Sequence, residues 1–275
     1  MGLRINQNIA AFNAYRNLTT TDSQMAKSLE KLSSGFRINR AADDAAGLSI
    51  SERLRSQVGG LKVAVRNAQD GISVIQTAEG ALNEVHSLLQ RMRDLAVQAS
   101  NLGAQDSDSQ AAAATEVEQA VSEIDRIASS TKYGSNNLLD GTGSFTFLVG
   151  ADGSAANLVG FSVSSVDRNA LGINAVSTDV ASGLTDAIST IDAAISTVSA
   201  IRGSLGAYQN RFEHTVANLG VAIENLSASE SRIRDTDMAQ EMVSFTRSQI
   251  LVQAGTAMLG QANQAPQSVL QLLKG

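Results

Sequence analysis

The chain is poor in the residues that build a large mixed core and in those that carry most protein chemistry. Of its 275 residues none is Cys or Trp, two are His, one is Pro, and 4% are aromatic. Without cysteine there is neither disulfide stapling nor thiol chemistry. A single proline, against an average usage of about 5%, favours long uninterrupted helices. Together with 22 glycines, these shortages argue against one large compact core.

Charge and hydropathy exclude two classes of partner. The formal net charge is −6 and the chain has no basic run, so we expect no nucleic-acid partner. No stretch reaches 18 consecutive apolar residues, so we expect no membrane insertion. The start of the chain, Met1–Asn8, lacks the apolar segment of a secretory signal peptide. Composition alone therefore indicates a cytoplasmic protein, unless a dedicated export machine handles it.

A long apolar stripe in the second half organises the chain. From Leu184 to Leu226 apolar side chains recur at steps of three and four, the spacing of a helix that packs against another long helix. At 1.5 Å per residue this rod would be about 64 Å long. A second stripe, from Leu54 to Leu95, has almost the same length. We therefore predict two antiparallel rods, with both chain termini at one end of the pair.

Shorter segments complete the predicted fold. Apolar residues from Val117 to Ala128 indicate a third helix that lies back along the rods. The period then falls to two around an Asp152-Gly153 turn signal, which predicts a β-hairpin within about 140–176 that closes the far end of the bundle. The predicted fold class is mainly α: a long antiparallel coiled coil or helical bundle formed by the N- and C-terminal halves, with a small β-hairpin cap in the middle.

The two ends of the chain have an unusual composition. Residues 1–21 carry only two charged side chains before Asp22, both Arg, and residues 248–273 carry none but include six Gln. A surface helix normally has a charged outer face, so we interpret both ends as helices buried against other copies of the chain. Disordered tails are the alternative, although such tails carry more charge and fewer large apolar residues. The apolar residues predicted at this polymerisation interface are Ile5, Ile9, Phe12, Met258, Leu259, Leu270 and Leu273.

This contrast predicts two domains. Residues 1–44 together with 235–275 would form a terminal polymerisation domain. Residues 45–234 would form the helical bundle, with the hairpin inserted in it.

Residues that could carry catalysis are few. Asp43 and Asp44 lie near two arginines and could form a metal or catalytic pair, but such clusters are more often structural ion pairs, and calcium-loop spacing is absent. His86 and His214 lie in separate rods without the ligand spacing of a zinc site. The chain also lacks a phosphate-binding loop and a serine nucleophile elbow. We predict no enzymatic activity, no metal and no cofactor.

Motifs near both ends resemble those of bacterial flagellin. The N-terminal motifs are Leu3-Arg-Ile-Asn-Gln-Asn and Leu32-Ser-Ser-Gly-Phe-Arg-Ile-Asn-Arg-Ala-Ala-Asp-Asp-Ala-Ala-Gly-Leu. The C-terminal motifs are Leu205-Gly-Ala-Tyr-Gln-Asn-Arg-Phe and Gln261-Ala-Asn-Gln-Ala-Pro-Gln. The resemblance covers nearly the whole chain, although the large outer domains of many flagellins are missing from its middle.

The resemblance implies a secreted, extracellular subunit that self-assembles into the flagellar filament for motility. It further implies export through the flagellar type III secretion channel, an export chaperone at the C-terminal segment, and contacts with the filament cap and hook–filament junction proteins. One alternative is the junction protein itself, and another is a secreted coiled-coil adhesin or effector. The Asn-Gln-Ala-Pro-Gln ending and the Arg-Ile-Asn-Arg-Ala-Ala-Asp-Asp run favour flagellin.

The same resemblance implies recognition by the flagellin-sensing Toll-like receptor of vertebrate hosts. The family's receptor-binding positions fall on Arg91 and Leu95 in the first rod and on Glu116 in the third helix. Val216 on the return rod occupies a contact position that we expect nearby. Arg91 and Glu116 would also suit an ion pair in subunit packing, and the two roles are compatible.

Overall fold

The protein is mainly helical, as predicted. The computed structural model describes residues 7–101, 106–182 and 185–272, with side chains up to Gln264. In chain order the elements are α1 (Ile9–Ser34), α2 (Ala45–Ala99), α3 (Ser107–Ser130), β1 (Lys132–Tyr133), β2 (Asn136–Asn137), β3 (Ser144–Leu148), a 3-10 turn (Ala155–Asn157), β4 (Leu158–Ser162), α4 (Val176–Ala181), α5 (Asp186–Arg234) and α6 (Met238–Leu272).

The chain divides into two compact units. The terminal unit comprises Met1–Ser56 and Asn225–Gly275, and the central unit comprises Gln57–Glu224. The predicted domain boundaries lie at the connections between helices, whereas the boundaries of the compact units fall inside α2 and α5. The assignment of the terminal unit to polymerisation stays a prediction at this point.

The two predicted rods form as α2, with 55 residues, and α5, with 49 residues. In the central unit their apolar stripes face the core because residues three and four apart share one side of a helix. The fully buried stripe residues include Leu82, Val85, Leu89 and Met92 on α2 and Ile191, Val198, Leu205 and Phe212 on α5. Leu184, where the predicted rod begins, lies outside the described residues.

Contacts within the central unit show that α2 and α5 run antiparallel. Arg93, near the end of α2, pairs with Asp192, near the start of α5, at 2.7 Å. Gly71, earlier on α2, lies against the ring of Phe212, later on α5. A Cβ at position 71 would come within 2.9 Å of that ring, so the glycine makes room for the Phe212 side chain between the helices. The predicted antiparallel pairing is confirmed.

α3 returns along α2, as predicted. Its apolar face lies in the core of the central unit, and the buried residues on it include Val117, Val121, Ile124 and Ala128. Two contacts give the direction of the return. The side chain of Gln110 donates to the carbonyl of Ala99 at 3.2 Å, and Glu116, further along α3, pairs with Arg91, earlier on α2.

The predicted β-hairpin forms, but its connection differs from the prediction. β3 and β4 pair antiparallel, with Phe145 opposite Phe161. Asp152 and Gly153 do not make a two-residue turn, because the strands are joined by a longer loop that contains the 3-10 turn. Asp152 instead accepts hydrogen bonds from the Asn157 side chain and from the N–H of Ser154. Its carboxylate therefore orders a broad loop.

The hairpin packs along the side of the rods, and the expectation that it closes their far end is wrong. The ring of Phe147 meets the ring of Phe212 edge-on at 5.7 Å, and the Phe161 ring lies 5.7 Å from that of Tyr208. The amide of Asn67 on α2 donates to the carbonyl of Leu148 at 2.9 Å. These α2 and α5 partners lie well inside both helices. Burial of the aromatic rings against them explains the lateral position, because a helix flank offers more apolar surface than a helix end.

The segment after the hairpin, predicted as a connection, contributes to the core. It includes the short helix α4, and its buried side chains are Val163, Val166, Leu171, Ile173, Val176 and Val180. Ahead of the hairpin, β1 and β2 form a second small antiparallel pair, with Gly134 at φ 61° in its turn. These elements cover a flank of the central unit.

In the terminal unit α1 and α6 pack antiparallel. The side-chain amide of Asn8 donates to the carbonyl of Ala262 at 2.7 Å, and at the opposite end Lys31 pairs with Glu241 at 3.8 Å. Between these contacts the packed faces are half-buried. Among the described side chains of the two helices, only Ser28 and Ser248 are fully buried. The pair therefore buries little apolar surface by itself.

The two interhelical connections of the terminal unit are joined by backbone hydrogen bonds. Gly35 ends α1 in the left-handed conformation at φ 76°. Its carbonyl accepts from the N–H of Thr236 at 3.0 Å, and the N–H of Arg37 donates to the carbonyl of Arg234 at 2.6 Å. The Arg234 guanidinium stacks 4.7 Å from the centre of the Phe36 ring. One short bridge therefore connects the end of α1 with the end of α5.

Asp43 and Asp44 act as backbone caps, so the expected ion pairs with the nearby arginines are wrong. The Asp43 carboxylate accepts from the N–H groups of Arg40 and Asn39, and these hydrogen bonds lower the pKa of Asp43. Asp44 accepts from the N–H of Gly47 in the first turn of α2 at 2.9 Å. A carboxylate stabilises a helix start because the first N–H groups have no partner inside the helix.

Candidate assembly surface and the Arg91 site

Large apolar side chains lie exposed on α1. Ile9, Phe12 and Tyr15 follow one another at three-residue steps, and Phe12 is 70% exposed. Leu18, which contacts Gly255 of α6, lies on another side of the helix and is half-buried. α1 is therefore apolar on two sides, and α6 covers only one of them.

α6 shows the same arrangement. Its exposed apolar side chains include Met242, Val243, Ile250, Leu251 and Met258. The first four line a shallow groove along the helix together with Thr246 and Arg247. From Ser248 to Gln264 the helix carries no charged residue, and its exposed polar side chains there include Gln249, Gln253 and Gln261. An uncharged face of this kind is typical of a surface that another protein covers.

The assembly surface is defined here as the exposed apolar side chains of α1 and α6 just described. Of the predicted interface residues, Ile9, Phe12 and Met258 belong to it. Leu259 is half-buried and lies one turn after Gly255, which contacts Leu18 of α1.

Three further predicted interface residues cannot be placed on this surface. Ile5 and Leu273 lie outside the described residues. Leu270 falls within α6, but its side chain is not among those described.

Arg91 and Glu116 form an ion pair within the single chain, and their roles in subunit packing and receptor recognition stay predictions. The Arg91 guanidinium reaches one carboxylate oxygen of Glu116 with both Nε and Nη2, each at 2.7 Å. Both side chains are about half exposed. The pair bridges α2 and α3 on the surface of the central unit, so a partner can reach either charge.

The other two predicted receptor residues lie elsewhere. Leu95 is 4% exposed and belongs to the core of the central unit, so its side chain lies beneath the surface that carries Arg91. Val216 is half-buried on α5, one turn from Phe212, which packs against Gly71. Gly71 precedes Arg91 by 20 residues of continuous helix, a distance of about 30 Å. The expectation that Val216 lies near Arg91 is therefore wrong.

One ion-pair network was missed by the sequence analysis. The Arg168 guanidinium pairs with Asp125 and Glu118 of α3, and the hydrogen bond that it donates to Asp125 raises the pKa of Arg168. The Ser177 hydroxyl also donates to Glu118 at 2.8 Å. These contacts fasten the segment around α4 to α3. The available signal was that Arg168 is the single basic residue between Lys132 and Arg202.

The arrangement offers surfaces for packing, with no cluster suited to metal chemistry in the parts of the chain that are described. Among those residues no group of three or more His, Asp or Glu side chains can hold a metal ion. His86 contacts Gln90 through Nε2 at 3.0 Å, and His214 is exposed. No described helix is both long and apolar enough to cross a membrane.

Comparisons with known proteins identify the family. Residues 5–144 match the bacterial flagellin N-terminal helical region, and residues 188–273 match the bacterial flagellin C-terminal helical region. A flagellin of Halalkalibacterium halodurans is 53% identical over 98% of this chain and 99% of its own length. A flagellin of Bacillus subtilis is 45% identical over 99% of this chain and 100% of its own length.

A solved structure supports the fold. A putative flagellar hook-associated protein from Vibrio parahaemolyticus superimposes with a TM-score of 0.61, covering 70% of this chain and 100% of its own. At 12% identity this likeness concerns the fold alone and does not favour the junction protein over flagellin. Since both helical regions match and the relatives align along their whole length, the chain belongs to the bacterial flagellin family.

Proposed function

We propose that this chain, a structural subunit of the extracellular bacterial flagellar filament, polymerises through the assembly surface of α1 and α6. The observation that carries the proposal is the exposure of Phe12, Met258 and their apolar neighbours in the single chain. Covering one such side chain contributes about 1.5–3 kcal/mol. Several together can offset the loss of translational and rotational freedom on association.

The resemblance to larger flagellins gives the arrangement. α1 and α6 would form the inner core of the filament, and the helices of the central unit would form the next shell. The exposed glutamines of α6 suit this position because buried amides can hydrogen-bond across a contact between subunits. In this role the chain acts as a structural protein and carries out no catalysis.

The assembly surface also suggests which export proteins would bind the subunit. We infer that the subunit passes through the flagellar type III channel and that a chaperone covers the C-terminal helix beforehand. An exposed apolar helix would otherwise promote association before export. The filament cap and the hook–filament junction proteins would contact the same terminal helices after export.

Substitution of Phe12 tests the assembly surface. Because Phe12 is 70% exposed, Phe12→Asp should change the stability of the free subunit by less than about 0.5 kcal/mol. It should nevertheless prevent filament formation, because a carboxylate would be buried without a partner. Sedimentation and electron microscopy report the filaments, and circular dichroism reports the fold.

Phe12→Leu is the matched control, since it keeps an apolar side chain of similar reach at the same position. It should still form filaments. Normal polymerisation of Phe12→Asp would show that this face of α1 remains uncovered in the filament.

A second proposal concerns the flagellin-sensing Toll-like receptor of vertebrates. It is supported by the exposed Arg91–Glu116 pair, whose charges a receptor surface can reach. Arg91 and Glu116 would make the contact, and buried Leu95 would hold their helices at the right spacing. Val216 would belong to a separate part of the interface, along α5.

A further inference from the structure

We propose that Met242 and Met258 on α6 are oxidation sites for hydroperoxides such as hydrogen peroxide, and that their oxidation stops the free subunit from assembling. The inference rests on the proposed function, because it requires that other subunits cover this face of α6 in the filament. It adds a modification site and a chemical control of assembly.

The chain confines its readily oxidised sulfur to a few methionines. It contains no Cys and six Met, so thioethers are the only sulfur groups that an oxidant can meet. On α6, Met258 is 64% exposed, Met242 is 51% exposed and Met238, at the start of the helix, is 47% exposed. Met92, in the core of the central unit, is fully buried. A small oxidant should therefore distinguish the α6 methionines from Met92 in the same molecule.

Both methionines lie in apolar surroundings, so a polar sulfoxide would change the surface that a partner subunit meets. Met242 lies in the groove with Val243 and Ile250, where the lining is almost entirely apolar. Met258 lies in the charge-free stretch of α6, one residue before Leu259. At both positions a partner surface must match an apolar side chain.

The chemistry is a two-electron oxygen transfer. The thioether sulfur attacks one oxygen of hydrogen peroxide, the O–O bond breaks, and a sulfur–oxygen bond forms. Proton transfer releases the second oxygen as water. The sulfur is oxidised by two electrons and the peroxide is reduced by two. The sulfoxide is polar and is reversible by methionine sulfoxide reductases.

The consequence for assembly follows from solvation. In the free subunit a sulfoxide at either position stays hydrated, so the fold is unaffected. On polymerisation that hydration is lost, and an apolar contact is replaced by a polar group without a matched partner. Once the filament has formed, the same contact excludes the oxidant. Oxidation therefore acts on the subunit before assembly and spares the finished filament.

The test treats purified full-length subunit with hydrogen peroxide and measures sulfoxide at each methionine by peptide mass spectrometry. Met242 and Met258 should oxidise at least about tenfold faster than Met92, given their exposure. The treated subunit should show a critical concentration for polymerisation about tenfold higher than the untreated one. Reduction by methionine sulfoxide reductases should restore assembly.

The matched variant carries Met242→Leu and Met258→Leu in a Met238→Leu background, because Met238 is also exposed and would otherwise be oxidised as well. Leucine keeps the apolar volume and cannot be oxidised. The variant should polymerise normally before and after peroxide. Loss of its assembly after peroxide, or normal assembly of wild-type subunits oxidised at both positions, would overturn the inference.

Oxidation of preformed filaments separates this inference from the proposed function. Suppose that Met242 and Met258 are protected in filaments but oxidised subunits still assemble normally. Oxidation would then not control assembly, and the proposed assembly surface would still stand. Oxidation at equal rates in filaments and free subunits would mean that the face is uncovered, and the proposed surface would fail with it.

Discussion

At the scale of single residues, the Arg91–Glu116 pair combines exposure with defined geometry. Two nitrogens of the guanidinium reach one carboxylate oxygen, which fixes the orientation of Arg91. An exposed ion pair of this type contributes only about 0–1 kcal/mol to stability. A partner can therefore bind the Arg91 guanidinium in place of Glu116 with little loss in the free energy of unfolding. A planar fork of donors is also what buried interface arginines commonly supply.

We expect Arg91→Ala to weaken binding of the monomer to the flagellin-sensing receptor by about 2 kcal/mol or more. Helix content should not change, because the side chain is more than half exposed. Filament assembly should also be impaired if subunits pack over the same surface. Surface plasmon resonance, circular dichroism and sedimentation measure the three outcomes.

Arg126→Ala is the matched control for Arg91→Ala. Arg126 forms an exposed ion pair with Glu123 within α3, so its removal deletes one charge and one surface pair in the same way. Receptor binding should survive this change. Equal binding by the wild type and both variants would mean that Arg91 serves only as helix surface.

At the scale of elements, the stripe of apolar residues at steps of three and four determines which side of a helix is buried. On α5 the stripe residue Val198 is fully buried, whereas Ile195, on the edge of the same stripe, is half-buried. Both positions are apolar and equally regular in the sequence. Their exposure differs because α2 covers the centre of the stripe and leaves its margin in contact with solvent.

We expect Val198→Asp to lower the free energy of unfolding of the central unit by about 3 kcal/mol or more, since an unpaired carboxylate would enter the core. Ile195→Asp should cost clearly less, because its carboxylate can turn toward water. Urea denaturation followed by circular dichroism measures both. Similar costs for the two variants would mean that the α2–α5 contact is wider than the structure shows.

At the scale of the whole molecule, the two units differ in how much they bury. The central unit contains a continuous core that extends from α2 and α5 through α3 to the hairpin. In α1 and α6, the fully buried residues among the described side chains are the two serines Ser28 and Ser248. Burial of apolar surface is the main source of folding free energy, so we expect the terminal helices to gain much of their stability from partner subunits.

We expect limited proteolysis of the free subunit to remove about 40 residues from each end and to leave a core near 45–235, since weakly buried helices open most readily. Filaments should resist the same protease. Equal cleavage of the ends in monomer and filament would contradict the dependence on partners. Gel electrophoresis with mass spectrometry identifies the fragments.

Removal of residues 248–275 should abolish filament formation while the central unit keeps its helix content and its unfolding temperature. The deleted segment carries part of the assembly surface and none of the described core. Electron microscopy and thermal circular dichroism measure the two outcomes. Filaments formed by the truncated chain would place the essential contacts on α1 and on the part of α6 before residue 248, which includes Met242 and Val243.

The sequence by itself determined the long helices and the antiparallel order of α2 and α5, whereas the short helix α4 was predicted as a connection. Apolar spacing is a local property, and a stripe such as that of α5 has the same period in the sequence as in the fold. The charge-free ends likewise indicated terminal helices with an uncharged outer face. The family resemblance rested on motifs spread along the chain, and the matched regions confirm it.

Only the tertiary structure decided which neighbour covers which side of each element. Leu95 and Arg91 both belong to α2, and α3 packs along this helix. Leu95 lies in the core, whereas Arg91 lies at the surface and pairs with Glu116 of α3. The lateral position of the hairpin depends on Phe147 reaching Phe212, 65 residues further along the chain. The residues around either phenylalanine do not predict this contact. The free energy that stabilises it comes from apolar surface buried between segments far apart in the sequence.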